Sequence, residues 1–499
     1  MFESANLEHK IDKAVYRREE PKLREALLNA QYDLKENGRF PVLILIAGVE
    51  GAGKGETVNL LNEWMDPRHI YAHAFPEPSD EERERPPIWR FWRALPPKGK
   101  IGIFFGAWHT EPIVGRVQGA ISEGEFSQAI AEILRFEKML CDEGVLLLKF
   151  WFHLSKAQQK KRLKALEKDP NTRWRVTKLD WKYFKLYKKF VRVCEPFLHK
   201  TSTGEAPWIV VPGADPRYRA LTVGRHLLAA MRERLDEKPA SRLPGRTPPL
   251  LPSADNLNVL RALELDQPMT RDEYQKQLEK WQGRLNMLSR HPRFRDIAVV
   301  AVFEGNDAAG KGGAIRRVTA ALDARHYHNI SVAAPSEEDR AQPYLWRFWR
   351  HIPRRGRFAI FDRSWYGRVL VERIEGFCSE ADWIRAYTEI NDFEQQLVRH
   401  DTVVVKFWIA ISEDEQLKRF KEREKVVFKR FKITEEDWRN RKKWAAYEQA
   451  VCDMVDRTST SIAPWRLVEA NNKYHARIKV LKTLCQAIET ALERTKRKA

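Results

Sequence analysis

Apolar runs of strand length alternate with longer charged stretches throughout this 499-residue chain. The clearest run, residues 145–152, is almost wholly apolar and predicts a strand buried on both faces. Strands that alternate with helices predict a parallel sheet with right-handed crossovers, and hence an α/β fold. In the first half, the predicted strands are residues 41–47, 101–105, 145–152 and 208–211. The predicted helices there are residues 7–37, a helix ending at Trp64, and residues 126–141, 156–168, 180–197 and 218–235.

The same order of elements is written twice along the chain. A Gly-rich loop that starts at Gly48 recurs at Gly305, a separation of 257 residues (305 − 48). An unchanged separation means a tandem duplication without net insertion or deletion, and a period this long is a whole domain. Four other pairs have the same separation: Trp89-Arg90-Phe91-Trp92-Arg93 with Trp346-Arg347-Phe348-Trp349-Arg350, Lys149-Phe150-Trp151 with Lys406-Phe407-Trp408, Asp180-Trp181 with Asp437-Trp438, and Pro207-Trp208 with Pro464-Trp465.

We therefore expect two domains, residues 1–236 and residues 256–499. Residues 237–255 between them contain five prolines and no apolar period, which predicts a semi-extended linker.

The loop of the second copy, Gly305-Asn306-Asp307-Ala308-Ala309-Gly310-Lys311-Gly312-Gly313, has the spacing of a phosphate-binding loop. A strand pattern (297–302) precedes it and a helix pattern (314–318) follows it. In this context backbone N–H groups, a helix N-terminus and the lysine converge on an anion. Gly312 stands where such loops usually have the Ser or Thr that ligates magnesium. A metal ligand must therefore come from elsewhere, and Asp307 is the candidate.

The two copies differ at positions where chemistry is expected. Asp362 ends a predicted strand (358–361) and faces the loop, where a magnesium ligand belongs, but the first copy has Phe105 there. Gly106 likewise replaces Arg363, and Glu50 replaces Asp307.

A cation-rich stretch of the second copy, residues 416–432, predicts a helix that closes over the loop as a lid. Its Arg423 corresponds to Leu166 in the first copy. Since several chemical positions are lost while the framework is kept, we expect residues 1–236 to be degenerate and inactive or weak. Residues 256–499 are then the catalytic domain.

The composition of the chain indicates the class of binding partner and the cellular location. Lys and Arg number 89 against 69 Asp and Glu, so the net charge of +20 predicts a polyanionic partner such as nucleic acid, an anionic membrane or polyphosphate. The five cysteines are scattered without a CxxC pair, which is typical of free thiols in a reducing cytoplasm. The chain starts without a basic-then-apolar leader and has no apolar run of about 18 residues, so we expect a cytoplasmic protein without a membrane span.

Three motifs, in order, resemble the polyphosphate kinase 2 family: the loop Gly305 to Gly313, Leu345-Trp346-Arg347-Phe348-Trp349-Arg350, and Phe361-Asp362-Arg363-Ser364-Trp365-Tyr366-Gly367-Arg368. The closing Arg457-Thr458-Ser459-Thr460 with Ala463-Pro464-Trp465 fits the same family. The tandem form resembles the branch that transfers phosphate from polyphosphate to AMP. The resemblance implies a P-loop kinase fold akin to thymidylate kinase, dependence on Mg²⁺ and a helical lid.

The resemblance also implies, by position, catalytic roles for Asp307, Lys311, Asp362, Arg363 and Arg423. Asp307 and Asp362 are the expected Mg²⁺ ligands, and an alternative role for Asp307 is to orient the acceptor phosphate. The expected phosphate-binding residues are Gly305, Gly310, Lys311, Gly312, Gly313, Arg316 and Arg317. Further candidates for contacts with polyphosphate or nucleotide are Arg347, Arg350, Arg368, Glu372 and Lys418. The tryptophans of the second motif either stack on adenine or pack in the core, and their helical spacing favours the core.

Other functions are compatible with parts of this pattern. The same loop suits an ATP-dependent nucleotide kinase, and the acceptor of polyphosphate phosphate is AMP or, alternatively, ADP. A nucleic-acid-binding P-loop ATPase would use the basic charge. The missing Ser or Thr after Lys311 and the lack of a nucleic-acid module argue against it. We expect polyphosphate and AMP or ADP as partners, no nucleic acid and no membrane, with a homo-oligomer left open.

Overall fold

The computed structural model describes residues 2–237 and 258–498. Within these ranges, one compact unit comprises residues 2–79, 87–237 and 335–347. The other comprises residues 80–86, 258–334 and 348–498. The predicted linker, 237–255, lies outside the described residues except for Glu237. No helix in the described ranges combines the length and the apolar character that a membrane span needs.

Among the described residues, the first half of the chain contains five strands: β1 (Val42–Gly48), β2 (Ile70–Ala74), β3 (Ile101–Phe105), β4 (Leu146–His153) and β5 (Trp208–Pro212). Its α-helices are α1 (Lys13–Asn37), α2 (Lys54–Trp64), α3 (Asp80–Arg83), α4 (Trp89–Ala94), α5 (Thr110–Gln118), α6 (Glu123–Asp142), α7 (Lys156–Lys168), α8 (Lys178–Lys185), α9 (Tyr187–Thr201) and α10 (Pro216–Asp236). Short 3-10 helices lie at Ser4–Asn6, Pro67–His69 and Arg173–Arg175.

The second half repeats this order with β6 (Ala298–Gly305), β7 (Tyr327–Ser331), β8 (Phe358–Asp362), β9 (Thr402–Ala410) and β10 (Trp465–Glu469). Its α-helices are α11 (Arg271–Ser289), α12 (Lys311–Thr319), α13 (Glu337–Arg340), α14 (Trp346–Trp349), α15 (Val371–Glu375), α16 (Glu380–Arg399), α17 (Glu413–Lys425), α18 (Glu435–Lys442), α19 (Trp444–Thr458) and α20 (Lys473–Lys498). Its 3-10 helices are Pro292–Asp296, Ala324–His326, Trp365–Val369 and Val427–Lys432.

Each unit is built on a five-stranded sheet, with strand order β2-β3-β1-β4-β5 in the first and β7-β8-β6-β9-β10 in the second. All strand pairs that define these orders are parallel. This arrangement confirms the predicted duplicated α/β fold with parallel sheets. In the second sheet Phe303 of β6 pairs with Asp362 of β8. The register therefore brings the start of the phosphate loop next to the turn that follows Asp362.

Most predicted elements are confirmed, and the main differences lie in three helices. Predicted helix 180–197 is two helices, α8 and α9, which meet at Leu186. The predicted lid helix 416–432 ends at Lys425, and a 3-10 helix continues the chain. The predicted helix 7–37 begins at Lys13, because Asp12 caps it by accepting a hydrogen bond from the Ala14 amide.

A buried polar network fixes the segment that follows β8. In the second unit the Lys406 ammonium donates to Glu394 Oε2 (2.7 Å), to the Tyr366 hydroxyl (2.8 Å) and to the Thr458 carbonyl (2.8 Å). The Tyr366 hydroxyl and the Trp365 indole N–H both donate to Glu394 Oε1. Removing one member would leave a buried group without its partner, so the network holds Trp365 and Tyr366 in one conformation.

Candidate active site

The phosphate loop of the second unit connects β6 to α12 and requires glycine at both ends. Gly305 has φ of +145°, and a Cβ atom there would collide with the backbone of Ile409 in β9. Gly310 has φ of +112° and precedes the first residue of α12. No heavy atom lies within 4 Å of the place its Cβ would take. The N-terminus of α12 is therefore uncovered at Gly310, as anion binding by a helix N-terminus requires.

Lys311 begins α12 and reaches back across this loop. Its ammonium donates to the Gly305 carbonyl at 2.5 Å and to the Asn306 carbonyl at 3.3 Å. Within the described residues no carboxylate forms an ion pair with it. Its positive charge is thus held at the loop without a neutralising side chain.

Asp307, at the centre of the loop, is held by residues of α17 and α18. Asn440 of α18 donates to Asp307 Oδ2 at 2.9 Å, and the Tyr447 hydroxyl donates to Asn440 Oδ1 at 3.2 Å. Gln416 of α17 donates to the Asp307 carbonyl at 3.1 Å. The Arg363 guanidinium lies 3.7 Å from Asp307 Oδ1. Residues of α17 and α18 and the turn after β8 thus meet at this one aspartate, and Tyr447 of α19 supports Asn440.

Asp362 and Arg363 follow each other at the carboxyl end of β8. Within the described residues the Asp362 carboxylate makes no hydrogen bond and no ion pair. Arg363 has a left-handed backbone, with φ of +64°, and its N–H donates to the Phe303 carbonyl at 3.0 Å. Burial, the largest influence, lowers the pKa of Arg363, but the nearby carboxylates, Asp307 first, outweigh it and leave the pKa above its ordinary value. The guanidinium therefore carries a permanent charge beside the loop.

Glu304, the residue before Gly305, was not among the predicted site residues. It is buried, and its Oε1 accepts a hydrogen bond of 2.8 Å from the Ser364 hydroxyl. Burial raises the pKa of the Glu304 carboxyl, while the Ser364 hydrogen bond and the charges of Lys311 and Arg363 lower it by less. The comparison of the two copies contained a signal for this pair, because Glu304 and Ser364 correspond to Ala47 and Ala107.

These groups surround a small cavity of about 90 Å³. The predicted residues Gly305, Asp307, Lys311 and Arg363 line it, and Asp362 and Arg423 do not. Burial, followed by the charges of carboxylates that include Asp307, raises the pKa of Tyr447 well above its ordinary value, so its hydroxyl remains a donor to Asn440. Lining residues that were not named as site candidates include Glu304, Asn306, Gln416, Glu436, Asn440, Trp444 and Tyr447.

Two further predicted cations, Arg316 and Arg317, lie on the helix that follows the loop. On α12, which also contains Gly312 and Gly313, Arg317 donates to the Tyr274 hydroxyl at 3.2 Å and to the Gly313 carbonyl at 3.3 Å. Arg316 forms no ion pair within the described residues. Arg316 is thus the α12 arginine that stays available to an anion.

Several predicted contacts to substrate are engaged in ion pairs. Arg368 and Glu372 pair with each other at 2.8 Å. Arg347 pairs with Asp339 and Lys418 pairs with Glu415, each at 3.8 Å. Arg423 is half-buried on α17, and Arg350 is exposed. Trp346 and Trp349 are buried, at 8% and 1% exposure, which confirms that they pack in the core.

The family model for polyphosphate kinase 2 matches residues 10–239 and, a second time, residues 268–496. The chain belongs to the polyphosphate kinase 2 family. A polyphosphate:AMP phosphotransferase of Pseudomonas aeruginosa is 62% identical over 496 residues, which cover 99% of this polyphosphate kinase 2 chain and 100% of that protein.

Other polyphosphate kinase 2 relatives also match along their length. A polyphosphate:AMP phosphotransferase of Pseudomonas syringae pv. tomato is 57% identical over 498 residues, covering 100% of both chains. A protein of the same name from Acinetobacter johnsonii is 37% identical over 470 residues, which cover 93% of this chain and 95% of that protein. A crystal structure assigned to polyphosphate kinase 2 from Pseudomonas aeruginosa superposes with a TM-score of 0.90 and 59% identity over 99% of both chains.

The first unit has the same loop, but the lysine of this loop is paired with a carboxylate. Lys54 donates to the Gly48 carbonyl at 2.8 Å and to Glu50 Oε1 at 3.0 Å. The Phe105 ring centroid lies 5.7 Å from the Lys54 ammonium. Lys54 is therefore neutralised by Glu50, whereas Lys311 has no such partner within the described residues.

A second carboxylate, Glu56, forms ion pairs with three arginines near that loop. It bonds Arg162 at 2.6 Å and Arg219 at 2.5 Å, and Arg175 lies 3.6 Å away. The Arg219 guanidinium fills the space beside Gly53, where a Cβ would collide with it, and the equivalent space beside Gly310 is open. Glu56 and Arg219 correspond to Gly313 and Ala476 of the second unit.

Carboxylates of the second unit are the groups that could hold a divalent cation. In the described ranges, no cluster of three or more acidic, His or Cys side chains is arranged to hold a metal ion. Mg²⁺ in phosphoryl-transfer enzymes usually takes only one or two carboxylates, with waters and substrate phosphates as its other ligands. Asp307 and Asp362 supply hard oxygen donors, and the Asp362 carboxylate has no competing partner among the described residues. This donor set fits Mg²⁺ bound together with a phosphate substrate.

Proposed function

We propose that this protein transfers the terminal phosphate of inorganic polyphosphate to AMP, giving ADP and a polyphosphate chain that is one unit shorter. The observation that carries the proposal is the full-length identity of 62% and 57% to two polyphosphate:AMP phosphotransferases. The phosphate loop, the uncompensated Lys311 and the adjacent Arg363 of the second unit support it, because they are the groups that phosphoryl transfer requires.

In this mechanism the second unit binds the end of the donor chain at its loop. The loop amides, the α12 N-terminus and Lys311 hold the terminal phosphate. Arg363 neutralises charge on its equatorial oxygens in a loose, metaphosphate-like transition state, and Arg423 does so from α17 when the lid is closed over the donor. An oxygen of the AMP phosphate forms the new bond to phosphorus as the P–O–P bond to the rest of the donor breaks.

No strong general base is needed, because the attacking oxygen of AMP is already anionic. The difficulty is repulsion between acceptor and donor, which cations near the loop reduce. We assign Asp307 and Asp362 to Mg²⁺, which when bound would offset the charge of the donor phosphates. Asp307 orienting the acceptor phosphate is the alternative role. The net charge of +20 suits a donor that carries roughly one negative charge per phosphate.

We further propose that the predicted first domain, residues 1–236, does not catalyse transfer and that residues 256–499 form the catalytic domain. Internal neutralisation supports this assignment, because Glu50 pairs with Lys54 and Glu56 pairs with Arg219. A polyphosphate chain would have to displace both carboxylates. Phe105 in place of Asp362 removes a proposed metal ligand as well.

We also assign the protein to the reducing cytoplasm. All five cysteines are free thiols, which supports this assignment.

A donor comparison tests the reaction. ADP formation from AMP is measured with long-chain polyphosphate and, separately, with ATP, and ADP is tested as acceptor in parallel. We expect polyphosphate and AMP to be the fastest pair. Faster turnover with ATP would replace the proposal with an ATP-dependent nucleotide kinase. ATP hydrolysis stimulated by nucleic acid would favour a P-loop ATPase.

A pair of substitutions tests which unit is catalytic. Asp362→Asn removes a proposed metal ligand and should abolish transfer at every Mg²⁺ concentration that saturates the wild type. Phe105→Ala changes the equivalent position of the first unit and should retain most of the activity. The reverse pattern would assign catalysis to the first unit.

A further inference from the structure

We infer that Glu304 and Ser364 form a positioning pair that holds the turn after β8 and aims Arg363 at the phosphate loop. The inference rests on the proposed function, since Arg363 is the cation assigned there to the transferred phosphate. It adds two residues to that site, neither of which belongs to the predicted loop, lid or metal positions.

The pair joins the two strands that frame the site. Glu304 lies at the end of β6, directly before the loop, and Ser364 follows Arg363 after β8. The Ser364 hydroxyl donates to Glu304 Oε1 at 2.8 Å and accepts from the Tyr366 amide at 3.3 Å. One buried hydroxyl therefore fixes both the carboxylate beside the loop and the first turn of the 3-10 helix Trp365–Val369.

The turn needs such support because its backbone is strained. Arg363 has φ of +64°, a left-handed conformation in which a Cβ atom lies too close to the following carbonyl oxygen. Strain of this kind persists where the surroundings determine the conformation, and it clusters at functional sites. The Arg363 N–H bond to Phe303 and the Ser364 bond to Glu304 hold the two sides of this residue.

The first unit forms the equivalent turn without a polar pair at these two positions. Ala47 and Ala107 take the two positions, both buried, and Gly106 replaces Arg363 with φ of +72°. The same turn is thus formed there by apolar packing and a glycine. A buried polar pair is seldom more stabilising than apolar groups of the same shape. The pair in the second unit therefore positions the Arg363 side chain and is not required for the turn to form.

The test uses Glu304→Ala, Ser364→Ala, the double variant and the conservative Glu304→Gln in the full-length protein. A 1 Å misplacement of a catalytic group can cost on the order of 10²-fold, so we expect kcat to fall by about 10- to 100-fold in both alanine variants. KM for polyphosphate should change much less. The double variant should be no worse than either single variant, because both break one interaction. Glu304→Gln keeps an oxygen acceptor for Ser364 and should restore most of kcat.

A second readout follows the backbone without catalysis. Hydrogen–deuterium exchange of the Arg363 and Tyr366 amides should be faster in both alanine variants and near wild type in Glu304→Gln. Ser379→Ala is the matched control, since Ser379 caps α16 with a hydroxyl of the same kind. It should lower Tm and leave kcat and the exchange of these two amides unchanged.

Two results would overturn the inference. Equal loss in Glu304→Gln and Glu304→Ala would mean that the carboxylate charge acts directly. Unchanged kcat in both alanine variants, with faster unfolding or lower Tm alone, would mean a purely structural role. Failure of the proposed function would look different, because the wild type would then transfer no phosphate from polyphosphate while the exchange pattern still reported on the pair.

Discussion

Gly106 and Arg363 occupy equivalent positions after β3 and β8, and both have left-handed backbones, with φ of +72° and +64°. Glycine adopts this conformation without steric cost, whereas arginine does not. Space does not explain the difference, since a Cβ at Gly106 would meet no atom closer than 3.7 Å. The second unit thus accepts a less favourable backbone in order to place a guanidinium 3.7 Å from Asp307.

Stability and activity should therefore separate at Arg363. Arg363→Gly and Arg363→Ala both remove the cation, and each should reduce transfer by about 10³-fold or more. Glycine relieves the backbone strain and alanine does not, so Arg363→Ala should be less stable than Arg363→Gly by about 1 kcal/mol. Urea unfolding and the AMP assay measure the two effects. Equal stability of the two variants would show that the turn is not strained.

The two loop lysines provide a matched test of the assignment of the units. Lys311→Ala removes the uncompensated cation and should lower kcat/KM by about 10²- to 10³-fold, as does loss of one preorganised donor at a transition state. Lys54→Ala removes a lysine already paired with Glu50, so kcat/KM should change by less than about twofold. Initial rates of ADP formation at subsaturating polyphosphate compare the two. A larger loss in Lys54→Ala would contradict the assignment.

An arginine at the position of Arg423 should affect catalysis in the second unit, whereas an arginine at the equivalent position of the first unit, Leu166, should not. Arg423→Leu introduces the residue of the first unit and should reduce kcat by about 10³-fold if the arginine meets charge in the transition state. Leu166→Arg is the reciprocal change and should leave kcat unaltered, because the first unit lacks a residue equivalent to Asp362. Single-turnover rates with saturating substrates give the comparison. An effect on KM alone in Arg423→Leu would assign this arginine to substrate capture.

Acid should destabilise the first unit through His109. This residue corresponds to Tyr366, is buried, and has no hydrogen-bond partner for either ring nitrogen within the described residues. Burial, with smaller effects of Lys149 and Lys54, lowers the pKa of His109 from 6.5 to about 3. Between these pH values the unfolded chain binds a proton that the folded chain does not, so the free energy of unfolding decreases as the pH falls. At pH 5 the loss amounts to about 2 kcal/mol.

His109→Tyr introduces the residue of the second unit and removes this titration. Urea midpoints at pH 7.5 and pH 5 should differ less in His109→Tyr than in the wild type. His199→Tyr changes an exposed histidine of α9 and serves as the control. An unchanged pH dependence in His109→Tyr would show that this imidazole is not the acid-sensitive group.

The buried strands and the longest helices could be predicted because their patterns are strong. Strand β3 and helix α7 have the predicted bounds, since each is set by residues that are near in sequence. The strand β2, Ile70–Ala74, was missed because it is short and its residues are half-buried or exposed at the sheet edge. The break between α8 and α9 depends on a single non-helical residue, Leu186.

The location of Lys311 was predictable, because the spacing of its loop places the lysine at the start of the following helix. The site was not predictable where two residues far apart in sequence meet. The Asn440 amide reaches Asp307 across 133 residues, and no local pattern marks that contact. Glu304 was hidden within an apolar strand, although its replacement by Ala47 in the first copy could have revealed it.

The close approach of Gly305 to Ile409 has a parallel in the first unit, where Gly48 packs against the backbone of Phe152. Any larger residue at either glycine would push apart the central pair of strands, so both glycines must be kept for the sheets to form. A duplicated copy can therefore drift away from chemistry and still retain the outline of a phosphate loop. Genome surveys that count kinase domains by glycine spacing would score two catalytic centres in this chain, whereas counting Asp362-type residues would score one.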